Sequence, residues 1–459
     1  ESSAASDVYK RQILMFAGIL SAASACTTDE ISSDSIFKNK ETVQTDFDKW
    51  LMTNFTEPYN VQFNYRYIDK LSDNYYNVVP ADEAKSKVIA QLVKHVWLDA
   101  YKEVAGEPFM KQNCFRVMQL IGSPEYDGQN KIVLGTAEGG LKILLFRINE
   151  LDPTNIYVNQ DNPYANKRSK PLDLNHWYFH TMHHEFSHIL HQKKSYSTEY
   201  RTISAGKYHA SDWVNVKDED AAADGFVTGY GSSEPNEDFA ELYSTYVTYT
   251  DEAWQKILDN GVVVQRDASG AVIPARDKNG NYVYQKDAKG NKILETDANG
   301  DLIPVTDANG NVVYATDKDG KYEFFKDEKG NRIPMYEIHQ KLGVHYTMTE
   351  NGLTPYFIFK GKAYPLTVAA GDPIYQRTSD GDIVYDKDGN PQPEYFRIPQ
   401  FEYLKQPQVD TFGRDAILKK LAIMKSYFQD SWGIDLDKLR SVVLRRSKEA
   451  STLDLKTLK

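Results

Sequence analysis

The sequence predicts an α+β fold: a small mixed sheet with helices around it, interrupted late in the chain by an antiparallel β-rich repeat insert. Three observations carry this expectation. Outside the repeats, strand candidates fall at residues 58–67 and 131–148, helix-like spacing recurs at residues 46–55, 81–103, 174–192, 235–258 and 416–445, and residues 261–335 repeat with a period of ten. A chain of 459 residues with 41% apolar content is long enough to bury more than one core.

The first segment reads as an address rather than as fold. Lys10 and Arg11 precede the apolar run from Ile13 to Ala25, and Cys26 follows directly. A basic start, a short apolar stretch and small residues before a break form an export signal, and the run is too short for a permanent membrane span. Cys26 at the junction resembles the lipobox cysteine of bacterial lipoproteins, although Ala23 stands where leucine is usual. That resemblance implies lipid on Cys26, attachment to the outer membrane on its periplasmic or cell-surface side, and an unpaired Cys114. Residues 1–9 fit no part of a signal and are set aside. The resulting division is leader 1–25, tether 26–42, first catalytic part 43–259, repeat insert 260–405 and helical C-terminal part 406–459.

A short helix is expected from Asp46 to Phe55, then a half-buried strand from Pro58 to Tyr67. Residues 81–103 have helical period, with Val88, Leu92, Val93, Trp97 and Leu98 on one side. Strands are expected at Lys131–Gly135 and Leu141–Ile148, around the turn-forming Glu138-Gly139-Gly140. A helix from about Leu174 to Gln192 follows, capped by Asp173, with Phe179, Met182, Phe186, Ile189 and Leu190 as its buried stripe. Another is expected from Pro235 to Leu258. Asp then recurs from 267 to 327 and Gly from 270 to 330, each every ten residues, so D-x-x-G turns punctuate strand-prone stretches in an antiparallel meander. The spacing fits neither an EF-hand nor the tandem-glycine calcium helices, so turn chemistry explains these aspartates better than calcium does. Helices from Ala416 to Tyr427 and from Leu436 to Arg445 close the chain.

Net charge is −11, from 54 basic and 65 acidic residues. That balance disfavours a broad phosphate-binding surface, and no nucleic-acid partner is expected. The 31 tyrosines and 20 phenylalanines suit an extracellular protein, or one that touches peptide or glycan.

The chemistry concentrates in His184-Glu185-Phe186-Ser187-His188. Four-residue spacing on a helix stacks the two imidazoles so that both reach one Zn2+ ion, and Glu185 sits about 100° around, within reach of a water there. Catalytic zinc takes three protein ligands and keeps a position open. Residue 194 is lysine, which disfavours the three-histidine arrangement with a ligand six residues on. The better source is Asn236-Glu237-Asp238-Phe239-Ala240-Glu241, where Glu237 and Glu241 again lie one turn apart. One would bind zinc and the other would orient a ligand histidine; composition leaves open which does which. His191 and His180 share the ligand side of the helix without being needed as ligands, and His183 is expected against a neighbour or solvent.

HEFSH followed by a helix bearing EDFAE resembles the gluzincin group of zinc metallopeptidases, which includes thermolysin, and resembles most the anthrax lethal-factor protease. The resemblance implies a zincin-like fold, peptide or protein substrates, Glu237 as third zinc ligand, Glu241 behind it, and Tyr230 as the phenol that steadies the oxyanion. Acyl transfer also needs such a donor opposite the metal. The run from His184 to Gln192 is further similar to Bacteroidetes lipoproteins described as substrate-import-associated zinc metallohydrolases. That likeness covers roughly residues 26–258 and 405–445 and implies association with an import system of the SusC/SusD type. Glu185 would then be the general base of peptide-bond hydrolysis. The competing expectations are a zinc hydrolase for a non-peptide or glycan-linked amide, and a non-catalytic accessory of nutrient import.

Overall fold

Helix α1 (Asp46–Leu51) opens on a reciprocal cap. The Thr45 hydroxyl accepts from Asp48 N, and the Asp48 carboxylate accepts from Thr45 N at 2.9 Å. This computed structural model describes residues 44–458 except 69–70, 72–76, 127–131, 134, 139–141, 169 and 367–370. The expected export signal, the tether and Cys26 lie outside the described residues, as does the turn at Gly139-Gly140. Cys114 is a buried free thiol.

The strand expected at residues 58–67 is shorter than its burial pattern. Val61, Phe63 and Tyr65 all point inward, yet only β1 (Gln62–Asn64) pairs. Pro58 and Tyr59 still belong to the preceding helical turn, which Asn60 ends in a left-handed conformation. The helix expected at 81–103 runs as α2 (Glu83–Val93) and α3 (Asp99–Ala105), joined by a widened turn over Lys94–Leu98. Asp82 caps it by accepting from Lys85 N at 2.9 Å.

Helix α4 (Glu107–Asn113) and strand β2 (Val117–Leu120) have no counterpart in the sequence expectations. The last three residues of β2 are buried in a row, so it carries no alternation to read. Strands β3 (Gly135–Glu138) and β4 (Lys142–Leu145) complete a four-stranded sheet ordered β1-β2-β4-β3. β1, β2 and β4 are parallel, with Phe63 opposite Met118 and Met118 opposite Ile143. β3 alone runs antiparallel, Gly135 facing Leu145, and forms one edge of the sheet.

Helix α5 (Thr181–Lys193) packs beside β3, and helices α6 (Pro235–Thr248), α7 (Asp251–Asn260), α8 (Phe412–Trp432) and α9 (Leu436–Glu449) follow, α6 against α5 and α9, and α7 against α8. The single helix expected from Pro235 to Leu258 is two. Tyr249-Thr250 breaks it, and Thr250 N donates instead to Gln160 O at 2.9 Å. One apolar core joins Val88, Leu92 and Trp97 to Phe186, Leu190, Phe239, Tyr243, Ile417, Phe428 and Leu439. Residues on both sides of the repeats therefore complete the same core, each large buried side chain contributing about 1.5–3 kcal/mol.

Strands β5 (Val263–Val264) and β9 (Val409–Asp410) pair antiparallel, so the repeats leave and return at one place. Between them the expected bridges are antiparallel, but the units do not form a simple meander. A return segment, residues 391–408, threads along them. Gln265 N donates to Gln408 O, Gln408 N to Ile273 O, and Ile273 N to Gln265 O, at 2.7–3.0 Å. The ring of three bonds recurs at Ala275, Gln406 and Val283. Ten residues of repeat thus advance the return segment by two. Each arm is too short to be stable as a hairpin alone, and the third segment supplies partners that would otherwise be open edges.

The turns follow the expected chemistry. Asp277 Oδ1 accepts from Asn279 N and Asn281 N, and Gly270 to Gly330 hold φ between 78° and 88°. A three-stranded sheet of β6 (His345–Thr349), β7 (Gly352–Phe359) and β8 (Lys362–Pro365), ordered β8-β7-β6, packs against the repeats, where Leu302 N donates to Tyr346 O. It rests on a small second core of Phe325, Ile333, Leu366 and Phe396. Among the described residues, no helix is long and apolar enough to cross a membrane.

Candidate metal centre

Two helices meet to make the centre. α5 is approached through a widened helical turn, Asn175–His180, and fixed upstream by Asp173, whose carboxylate accepts from Asn159 N and Asn175 N at 3.0 Å. The buried face of α5 presses Phe186 edge-on against Trp97 and Tyr101, with ring centres 5.3 and 5.1 Å apart. That contact sets the rotation of the helix and turns His184 and His188 the other way, toward α6. α6 starts at Pro235, which suits a first helical position, and carries Glu237 and Glu241 one turn apart.

His184 Nε2, His188 Nε2 and Glu237 Oε2 converge. His184 Nε2 lies 3.0 Å from Glu237 Oε2, His188 Nε2 lies 3.4 Å from the same oxygen, and the two imidazole nitrogens are 3.1 Å apart. Zinc bonds of about 2.0–2.1 Å in a tetrahedron separate neighbouring ligand atoms by roughly 3.3 Å. The triangle therefore has the dimensions of one face of a zinc site. Among the described residues this is the only group of three or more histidine, cysteine or acidic side chains with that convergence. Glu237 Oε2 is also buried without an aligned hydrogen-bond donor. A carboxylate oxygen left in that state is costly unless a cation meets it. The donor set, two imidazoles and one carboxylate, is one that zinc accepts.

Each converging histidine is gripped from behind. His184 Nδ1 pairs with Glu241 Oε1 at 2.7 Å, and the other Glu241 oxygen accepts from the Thr228 hydroxyl at 2.7 Å. Thr228 Oγ1 in turn accepts from Gly231 N at 3.0 Å, so the turn that carries Tyr230 is tied to the same carboxylate. His188 Nδ1 lies 2.9 Å from His191 Nε2. Burial alone would lower the pKa of His184, but the Glu237 and Glu241 carboxylates against it push it up to about 10. Burial would raise Glu241, yet the charge of His180 and the bond to His184 hold it down at about 2. The pocket thus favours positive charge at the point where the three ligand atoms meet.

Glu185 is half-buried next to them. Burial raises its pKa, while the two imidazoles pull the other way. The Tyr230 ring stacks on His184 at 5.7 Å with 25° between planes, and Trp213 flanks it at 4.8 Å. Burial and the Glu237 carboxylate push its phenol well above the ordinary range, so it stays a donor. All six expected site residues of the described chain, Glu185, Tyr230, His184, His188, Glu237 and Glu241, come together.

Of the spare histidines, His183 meets a neighbour, one of the two places expected for it. His180 is buried between the helices, its Nε2 3.0 Å from Ser244 Oγ, and burial lowers it to about 4. His183, expected at a neighbour or in solvent, is fully buried with Nδ1 2.8 Å from the Tyr101 hydroxyl. Thr228 and the contact made by His191 were missed. His191 had one signal, its place three residues after His188; Thr228 had none, because its partner is 13 residues away on another element.

Residues 40–298 match the protein family described as "Putative zinc-binding metallo-peptidase". Among solved structures, the chain is similar to "a putative zinc-binding metallo-peptidase from Bacteroides caccae ATCC 43185", with 27% identity and a TM-score of 0.50. That alignment covers 93% of this chain and 100% of the other. Likeness therefore extends into the repeats, beyond the stretches where the sequence motifs placed it. No curated protein matches.

Proposed function

As the chain belongs to the zinc-binding metallopeptidase family, we propose that it hydrolyses peptide bonds at His184, His188 and Glu237, with Glu185 as the general base. The observation that carries this reading is the zinc-sized triangle of those three ligand atoms, at 3.0–3.4 Å. Glu241 orients the His184 imidazole.

When bound, zinc supplies a Lewis acid that acidifies water and polarises the scissile carbonyl. Glu185 takes the proton from the attacking water and delivers it to the departing amine; its raised pKa suits both halves of that transfer. The Tyr230 phenol, held over His184 by Trp213, donates to the oxyanion as charge develops. β3 packs beside α5 and, among the described residues, has one strand edge unpaired, which offers backbone groups to an extended peptide. That edge supports a peptide over a glycan-linked amide.

Glu185→Gln tests the mechanism. The variant should bind one zinc per chain and lose about 10²–10⁴-fold in turnover of a mixed peptide library, as expected when a positioned base is removed. Undiminished cleavage would sink the assignment.

We further propose that the protein is exported and held at the outer membrane by lipid on Cys26, where it serves a SusC/SusD-type import system. The support is the sequence from Lys10 to Cys26. Fatty-acid labelling should mark the wild type and not Cys26→Ser; equal labelling would reject the anchor.

A further inference from the structure

His191 sits one turn beyond His188 on α5, and its Nε2 is 2.9 Å from His188 Nδ1. A histidine that offers Nε2 to a metal must carry its proton on Nδ1, and that proton needs an acceptor. His184 uses a carboxylate, Glu241. His188 has a second imidazole in the equivalent place.

We propose that His191 is a positioning residue for zinc: its Nε2 accepts the Nδ1 proton of His188 and fixes the tautomer and ring angle of that ligand. The inference rests on the reading of His188 as a ligand. Two features of the surroundings favour it. First, the His191 ring cannot swing away freely. Tyr196 and Phe239 meet it edge-on, at 5.7 Å and 6.1 Å with planes at 83° and 82°. Those two rings stack on each other at 4.2 Å and 4°, and the Tyr196 hydroxyl donates to Pro235 O and reaches Asn236 Oδ1 at 2.9 Å. The same aromatic pair therefore braces His191 and the first turn of α6, which delivers Glu237. Second, Glu185, Glu237 and Glu241 would already place three carboxylates around a bound dication. A fourth behind His188 would add an unbalanced buried charge, whereas a neutral imidazole accepts the proton without one.

The test compares zinc affinity of the purified full chain, by competition with a chromophoric chelator, for His191→Phe, His191→Gln and His188→Ala. Phe keeps a ring among Tyr196 and Phe239 but accepts nothing; Gln restores an acceptor. We expect His191→Phe to weaken zinc about 10–100-fold, the usual cost of losing a ligand's partner, and Gln to recover most of it. The cobalt-loaded Phe variant should also show an altered ligand-field spectrum. Unchanged affinity in Phe, or equal losses in Phe and Gln, would overturn the relay. His188→Ala separates the two readings: if it binds zinc as the wild type does, the ligand assignment itself has failed. Should Phe not fold, nitrogen-15 spectra of histidine-labelled, zinc-loaded wild type decide instead. His188 protonated at Nδ1 and His191 bare at Nε2 supports the relay; a proton on His191 Nε2 overturns it.

Discussion

Glu241 does two jobs with two oxygens, holding His184 Nδ1 at 2.7 Å and receiving the Thr228 hydroxyl at 2.7 Å. Glu241→Ala should therefore weaken zinc binding about 10–100-fold, and chelator competition at fixed pH would measure it. Thr228→Val should act through the same carboxylate with a smaller effect. A second residue-scale prediction concerns Asp238, next to Glu237. Its carboxylate is buried against Lys420 Nζ at 2.7 Å and receives the Tyr208 hydroxyl at 2.9 Å. Lys420 also donates to Gly225 O at 2.8 Å. Lys420→Met would strand a buried charge and should cost about 3–5 kcal/mol, read by denaturant unfolding. Adding Asp238→Leu should recover part of that loss.

At the scale of elements, helices were more legible than strands. The stripe of Met182, Phe186, Ile189 and Leu190 defines α5 without help, because side chains repeat on one face within a single element. β2 was invisible, since three consecutive buried residues lack any alternation. The repeat turns yield a pH prediction. Asp267, Asp277, Asp287, Asp297, Asp307, Asp327 and Asp386 are all held below the ordinary carboxylate pKa by hydrogen bonds within their turns. A depressed folded pKa means the stabilisation is present above the unfolded value, near 3.9, and lost as pH falls through the folded ones. Hydrogen-exchange protection of residues 265–335, corrected for intrinsic rates, should hold down to about pH 4 and fall below it. Protection that holds to pH 2 would contradict the turn account.

At the scale of the molecule, the chain builds its zinc-bearing part from two distant stretches and lets the repeats leave through β5 and β9, which pair side by side. Replacing residues 266–407 by a short Gly/Ser linker should therefore preserve zinc affinity and the α-helical circular dichroism. Truncation before Phe412 should not, because Ile417, Met424, Phe428, Leu439 and Val443 belong to the main core. Equal tolerance of the two deletions would show that α8 and α9 are dispensable.

By itself the sequence determined what depends on spacing along one element: two imidazoles one turn apart on α5, two carboxylates one turn apart on α6, and Asp-x-x-Gly turns every ten residues. Helical and turn geometry are local, so residue order suffices. Only the tertiary structure decided which carboxylate faces Nε2 and which Nδ1, that Thr228 and His191 stand behind them, and that residues 391–408 thread the repeats. Those outcomes depend on how α5 and α6 are rotated against each other by Trp97, Tyr101 and Phe239, and on which distant segment satisfies each exposed backbone edge. Neither is written in the spacing of any one element.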